Sequence, residues 1–400
     1  MRCHSLWGSM RRACLRESVV LLAVGTAATI AFCAAGGDGK TAKLTSISTT
    51  QAFERSSQSV AQIYFNDFDD TPAGPEWSAT KVSFTEKGDR PYLGDFLPNK
   101  EPVTLTLKNL PAHKLVRITF DLFLKRSWDG SSPIWGDTIW DMQLDDGRNL
   151  IHTTFCNCGF FNDNDEQAFP DTYPARPHIA WTGAAENRSL GCVQSWGGPD
   201  RTFDPSSVYH FDLTFPHSSG EIVFGFSSKM KGDLTKTFGL TNVRVQTLSD
   251  FVRHTDAELT RMWADLGAAQ YPRFFTAQWN LIASGDAAVS FLERHIKERN
   301  DLSDSEIRDL LNEFRKTSGQ PIDDPILMLI SQGGAATTPI NDALADSNFP
   351  EDKKEILTAC KKLIERYPQS ATDLRLQRAR QLLQVIHTDA ALKLAKQYAQ

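Results

Sequence analysis

Apolar residues recur at every second position through the first part of this chain and at every third or fourth position through the rest. Val103, Leu105 and Leu107 form one alternating set, and Val116, Ile118, Phe120, Leu122 and Leu124 form a longer one. Phe211, Leu213 and Phe215 follow, then Ile222, Phe224 and Phe226. Side chains two apart on an extended backbone share a face, so each set predicts a half-buried strand. Asp145-Asp146-Gly147, between two apolar runs, carries the turn chemistry of a hairpin. Many strands with no intervening helical pattern predict an antiparallel jelly-roll β-sandwich.

Beyond Asp250 the period lengthens. Thr255 and Glu258 have capping-box spacing, with Leu259, Met262, Trp263 and Leu266 on one helical face. Ser303 and Glu306 repeat the box ahead of Ile307, Leu310, Leu311 and Phe314. Ile356, Leu357, Cys360, Leu363 and Ile364 form a third stripe, and Leu374, Leu382, Leu383 and Ile386 a fourth. Composition shifts at the same place: residues 60–250 hold 26 Phe, Trp and Tyr, whereas residues 251–400 hold 11. The fold class expected is multidomain β + α. A jelly-roll sandwich spans 60–250, and an α-helical bundle or irregular HEAT-like solenoid spans 251–400. No fixed repeat length separates the two helical forms.

The first 37 residues read as an export segment. Arg2, Arg11, Arg12 and Arg16 precede Val19–Ala35, 17 residues without a charge. As a helix that run is about 26 Å long, a little short of a hydrocarbon core of roughly 30 Å. The small residues Ala34, Ala35 and Gly36 suit cleavage of a signal peptide. An uncleaved anchor is the second reading, and a lipoprotein through Ile30-Ala31-Phe32-Cys33 the third. All three place the body outside the cytoplasm, in the periplasm, the cell envelope or the medium, with membrane contact only through this segment. Residues 38–59 then form a Ser/Thr-rich tether. With 43 basic against 49 acidic residues, the chain lacks the basic excess that a nucleic-acid surface needs.

Several stretches of residues 63–246 resemble secreted bacterial β-sandwich domains of the lectin-like or carbohydrate-binding-module type. They are Phe65-Asn-Asp-Phe68-Asp, Leu93-Gly-Asp-Phe96, Leu110-Pro-Ala-His113, Thr119-Phe-Asp-Leu-Phe123, Ser127-Trp-Asp-Gly130, Thr153-Thr-Phe155, Tyr209 to His217 and Phe238-Gly-Leu-Thr-Asn-Val243. Residues 258–298 are similar to a HEAT-like helical segment of exported bacterial proteins. The resemblance implies a binding module followed by a helical scaffold with a protein partner, and no settled activity. Such sandwiches often carry Trp-Gly-Leu-Asp-Asn-Val in the last strand. Phe238 and Thr241 stand at the Trp and Asp positions here, which weakens any inherited calcium site.

Trp128, Trp135 and Trp140 interleave with Asp129, Asp137 and Asp141 in one short stretch. Sugar rings stack on aromatic planes while carboxylates take their hydroxyls, so these six residues are the candidate ligand site, with a polysaccharide as ligand. The competing reading has the indoles filling the core. Calcium is the one cofactor the sequence suggests, through Asp67 and Asp69 or the Asn162–Glu166 run. Lys361, Lys362, Arg366, Arg375, Arg378 and Arg380 form a basic region that reads as a solvated helix face or a partner surface.

Cys156, Cys158 and Cys192 share the sandwich. In an oxidising compartment a Cys158–Cys192 disulfide is expected, with Cys156–Cys192 as the alternative. The motifs of metalloproteases, serine hydrolases and phosphate-binding loops are absent from the sequence, as is a paired-carboxylate strand signature. The function expected is therefore an exported, non-catalytic binding protein. The alternatives are a glycan-active enzyme whose carboxylates converge only in three dimensions, and a purely structural envelope protein.

Overall fold

The computed structural model describes residues 59–132, 136–158, 166–174, 178–195, 202–231, 235–268, 270–299, 301–316 and 323–398. Trp135, the Asn162–Asp165 run, the export segment and nearly all of the tether lie outside them.

Ten main strands build the sandwich. They are β1 (Val60–Asn66), β2 (Val82–Phe84), β3 (Pro91–Phe96), β4 (Val103–Lys108) and β5 (Leu115–Lys125), then β6 (Gly136–Leu144), β7 (Asn149–Thr154), β8 (Ser207–Pro216), β9 (Glu221–Met230) and β10 (Thr237–Leu248). One seven-stranded sheet runs from the short strand Glu186–Asn187 through β8, β5, β10 and β3 to β2, with β1 also paired to β10. The second sheet has five strands. It runs β4, β9, β6 and Ser131–Ser132, and β7 takes the other edge of β6. Every pairing in these two sheets among the described residues is antiparallel.

The alternating sets lie where their period puts them. Val116, Ile118, Phe120, Leu122 and Leu124 of β5 are all fully buried, as are Phe211, Leu213 and Phe215 of β8 and Ile222, Phe224 and Phe226 of β9. Trp140 of β6 stands at the centre of the core. Its ring lies 5.7 Å from that of Phe211, 6.2 Å from Phe120, 6.3 Å from Phe226 and 6.2 Å from Phe238.

Helices follow β10: α1 (Asp256–Leu266), α2 (Arg273–Ala283) and α3 (Asp286–His295). The expected capping box opens α1. Thr255 caps Glu258 N, and the Glu258 carboxylate returns to Thr255 N at 2.8 Å. These helices have no core of their own. Leu259, Met262, Trp263, Phe274, Leu281 and Leu292 join the same apolar cluster as the sandwich residues, and α2 lies against β8. Leu382, Leu383, Ile386 and Leu394, near the C-terminus, enter that cluster too.

Secondary structure thus changes between Leu248 and Asp256, but the compact units divide elsewhere. Residues 49–297 and 375–400 form one unit, and residues 298–374 belong to the other. The second unit contains α4 (Asp304–Lys316), α5 (Asp323–Ser331), a short 3-10 turn (Gly333–Ala336), α6 (Thr337–Ala345) and α7 (Glu351–Arg366). Ser303 and Glu306 close the second capping box at its start. Ile307, Leu310, Leu311, Phe314, Leu357, Cys360 and Ile364 fill its separate core. Helix α8 (Ala371–Ile386) leads out of it to α9 (Asp389–Gln397). Arg378 on α8 is not part of a solvated basic face: it is fully buried in the first unit.

Candidate functional site

The parity of β6 sorts the candidate residues. Trp140 shares its face with Thr138 and Met142 and points into the core, so Asp137, Ile139, Asp141 and Gln143 point outward. Trp140 and Trp128 are both wholly buried, and Trp128 donates its indole N–H to the Lys125 carbonyl at 3.3 Å. Neither offers a ring face to a ligand, which corrects the expectation that they stack on sugars. Core packing recruits the same large flat rings that sugar sites do, so composition alone does not distinguish the two roles. Asp129 is occupied as well. It pairs with the buried Lys236 ammonium and lies 3.5 Å from Cys158 Sγ.

Asp137 and Asp141 remain, and the fold gives each an aromatic partner. The β6–β7 register sets Asp141 directly opposite His152. His152 Nδ1 donates to Asp141 Oδ1 at 2.5 Å; the histidine side chain is 31% exposed and the carboxylate 3%. With Nδ1 protonated, the neutral ring presents Nε2 as an acceptor. Tyr173 donates its hydroxyl to Asp137 Oδ2 at 2.7 Å, and that bond pushes the phenol pKa up. Tyr173 N also donates to the His152 carbonyl, which fixes the loop against β7. The His152 and Tyr173 rings meet edge to face, 5.8 Å between centroids at 76°. On the other side of Asp141, Ser227 of β9 is its register partner. His152, Asp141 and Ser227 therefore make a polar row across three strands, with Tyr173 and Asp137 beside it.

The sequence did not place His152 or Tyr173 in the ligand site. His152 was not legible from the Asp145-Asp146-Gly147 turn, because a bulge between Met142 and Gln143 shifts the β6–β7 register by one residue between that turn and Asp141. Nor was Tyr173, because a long irregular loop delivers it.

A second polar cluster lies on the outward side of the other sheet. Asp121 accepts from His210 at 2.8 Å and from Asn242 at 2.6 Å. Burial would raise the Asp121 carboxyl, but these two partners outweigh it and hold the pKa down. His210 is raised in turn by Asp121. No group of three or more His, Cys, Asp or Glu side chains converges as a metal site among the described residues. Asp67 and Asp69 instead form an Asx turn, Asp69 N donating to Asp67 Oδ1 at 3.2 Å. The Thr241 hydroxyl, at the position of the missing carboxylate, donates to the Asp67 carbonyl at 2.8 Å.

The expected bridge to Cys192 is not formed. Cys156, Cys158, Cys192 and Cys360 are all thiols. Cys192 sits in an apolar cluster with Tyr92, Phe123, Leu190 and Val208 and donates to Glu86 Oε2 at 3.1 Å. Cys158 instead donates to the Trp128 carbonyl at 3.1 Å. Sharing one module did not bring them together, because the two segments pack against different parts of the sandwich.

The sequence matches no protein-family model and no curated protein. Solved structures similar to part of the chain include two bacterial proteins. One is dimeric latent PorU from Porphyromonas gingivalis, at 12% identity and a TM-score of 0.24. That match covers 48% of this chain and 13% of PorU. The other is the CBM22-1 xylan-binding domain of Xyn10C from Paenibacillus barcinonensis, at 10% identity and a TM-score of 0.22, over 48% of this chain and 96% of that domain. Among the described residues no helix is long and apolar enough to cross a membrane.

Proposed function

We propose that this is an exported, non-catalytic binding protein whose sandwich takes a polysaccharide on the face of β6 and β7. Asp137, His152 and Tyr173 are the binding residues, and the buried Asp141 orients His152 from behind. The observation that carries the reading is the pairing of two outward carboxylates with two aromatic rings that touch each other. Carboxylates and imidazole nitrogen suit sugar hydroxyls, and a tyrosine ring suits the apolar face of a pyranose. Gln143 and Ser227 extend the row of hydrogen-bonding groups. Glycosidic cleavage needs two carboxyl groups roughly 5–10 Å apart. Asp137 and Asp141 are four residues apart on one strand, so their backbones stand about 13 Å apart. Asp141 is moreover shielded and engaged by His152. The helices of residues 298–374 act in this reading as a scaffold for a protein partner.

The test is binding of the full-length protein to a panel of immobilised plant, fungal and bacterial polysaccharides. Binding to at least one is expected, with a loss of tenfold or more in Asp137→Ala and Tyr173→Ala. Uniform failure to bind, with and without calcium, removes the reading. A second reading draws on the Asp141–His152 pair, which has the form of a carboxylate-oriented general base. Release of reducing ends from soluble glycans, abolished in His152→Gln, would establish that enzyme instead.

A further inference from the structure

Cys156 Sγ and Cys158 Sγ lie 3.6 Å apart. We propose that this pair is a dithiol site that closes to a Cys-x-Cys disulfide when it meets a small-molecule disulfide. The site is independent of the polysaccharide reading.

Three observations support it. The first is reach. A disulfide needs its Cβ atoms roughly 3.5–4.5 Å apart and its sulfurs about 2.05 Å apart. The sulfurs already touch at 3.6 Å, so a small inward closing of the three-residue segment, together with side-chain rotation, brings them to bonding distance.

The second is preorganisation. Cys156 forms an antiparallel bridge with Asp129, donates its backbone N–H to Gln167 Oε1 at 3.1 Å, and accepts Trp181 N on its carbonyl at 2.9 Å. Asn157, between the cysteines, is fully buried. Its Oδ1 accepts Trp128 N at 2.7 Å, its Nδ2 donates to the Arg126 carbonyl at 3.0 Å, and its own N–H donates to the Trp128 carbonyl at 3.0 Å. The backbone that carries the two sulfurs is thus pinned on both sides, and the pair does not depend on chance encounter.

The third is access and exclusivity. Cys158 is half-buried while Cys156 is fully buried, so an incoming disulfide reaches Cys158 first. Cys192 is no competitor. Its sulfur lies in a separate apolar cluster beside Glu86, and burial pushes its thiol up, away from the reactive thiolate.

The chemistry is two successive exchanges. Cys158 loses its proton to solvent and attacks one sulfur of the oxidant. A Cys158–S bond forms, the oxidant's S–S bond breaks, and one small thiolate leaves and is protonated. Cys156 then loses its proton and attacks Cys158 Sγ, which expels the second small thiol. The protein gives up two electrons and two protons, and the oxidant becomes two thiols. A loop closed over a single intervening residue restrains the unfolded chain little. The bridge is therefore a reversible, responsive one rather than a structural staple.

The experiment uses the full chain, reduced and then exposed to oxidised glutathione under native conditions. Remaining thiols are alkylated and the digest is analysed by mass spectrometry. The peptide containing Cys156 and Cys158 should be unalkylated and lighter by two hydrogen atoms, while Cys192 and Cys360 stay alkylatable. Dithiothreitol should restore both thiols. Cys192→Ser should leave the bridge intact, and Cys158→Ser should leave Cys156 alkylatable. Oxidation in concentrated urea should be slower, because the preset sulfur contact is lost. A crosslink from Cys192 to either cysteine, a stable glutathione adduct on Cys158, or equal rates in urea and buffer would each overturn the proposal.

Discussion

Arg378 and Asp171 are 207 residues apart in sequence and form a bidentate ion pair from which solvent is excluded. Arg378 Nε and Nη2 meet the two carboxylate oxygens at 2.7 and 2.9 Å. Its Nη1 donates to the Leu266 and Ala268 carbonyls at 2.7 and 2.6 Å, just past the end of α1. The guanidinium lies 3.3 Å above the Phe274 ring, and His178 Nε2 stands 2.8 Å from Asp171 Oδ2. One side chain of α8 therefore joins a sandwich loop, the end of α1 and the start of α2. The pair offsets its desolvation because nearly every lone pair and N–H around it is used.

Removing one partner leaves a buried charge without its counter-ion. Arg378→Met should destabilise the first unit by about 3–5 kcal/mol in urea unfolding. Arg378→Met combined with Asp171→Asn should recover part of that loss. A chain ending at Lys297, which lacks α8 and α9, should show the same instability and give molten, dye-binding material. If that fragment instead melts as cooperatively as the full chain, the pair does not hold the unit together.

The same pair sets an acid limit. Burial by itself would raise Asp171, but Arg378 and His178 outweigh it and hold the carboxyl at about 2, against 3.8 for a free aspartate. A carboxyl depressed in the folded state stabilises fully above its unfolded pKa. That contribution is lost as pH falls from 3.8 toward about 2. The expected size is about 2 kcal/mol, and the loss should be absent in Asp171→Asn. Urea midpoints measured at closely spaced pH values check it.

A second acid effect should appear at milder pH. His217 Nδ1 and His113 Nε2 share a hydrogen bond at 2.8 Å, with the two rings stacked. Burial, the His113 ring and nearby Arg148 bring His217 down to about 4 from 6.5, against a small opposing pull from Asp146 and Asp145. The unfolded chain then binds more protons than the folded one between these values. Stability should be complete above pH 6.5 and fall as pH drops toward 4. His217→Phe should flatten that part of the profile, with the Asp171 step unchanged.

The tryptophans and the outward row should separate cleanly in mutagenesis. Trp140→Ala should cost about 3–5 kcal/mol, as expected for a large aromatic removed from a packed core. Trp128→Phe should lower stability and leave polysaccharide affinity intact. Tyr173→Phe removes only the hydroxyl that Asp137 receives, so it should weaken binding with little change in melting temperature. Calorimetric melting alongside affinity electrophoresis distinguishes the two outcomes.

Thr255 offers a smaller, local check. Its backbone N–H and its hydroxyl both donate to the Glu258 carboxylate and hold that carboxyl below its ordinary range. Thr255→Ala should raise the Glu258 pKa in an NMR titration and cost about 1 kcal/mol through the lost cap.

Sequence alone determined the elements. Alternation at Val116–Leu124 and Phe211–Phe215 fixed strands and their buried faces, and the Thr255–Glu258 and Ser303–Glu306 spacings fixed two helix starts. Each is a relation between residues a few positions apart, and such relations survive into any fold that keeps the local backbone. What only tertiary structure decided involves partners far apart in the chain. Parity on β6 makes Asp141 an outward residue, but cross-strand register is what sets His152 beside it. The Cys156–Cys158 contact depends on Asn157 being clamped by Trp128, and Cys192 is drawn instead to Glu86. Arg378 looked like one more charge on a solvated helix because its partner is 207 residues away. Hydrophobic period reports which side of an element is buried, not which distant element buries it. Closing long loops of chain selects among those partners through packing and hydrogen bonding that exist only once the whole unit has formed.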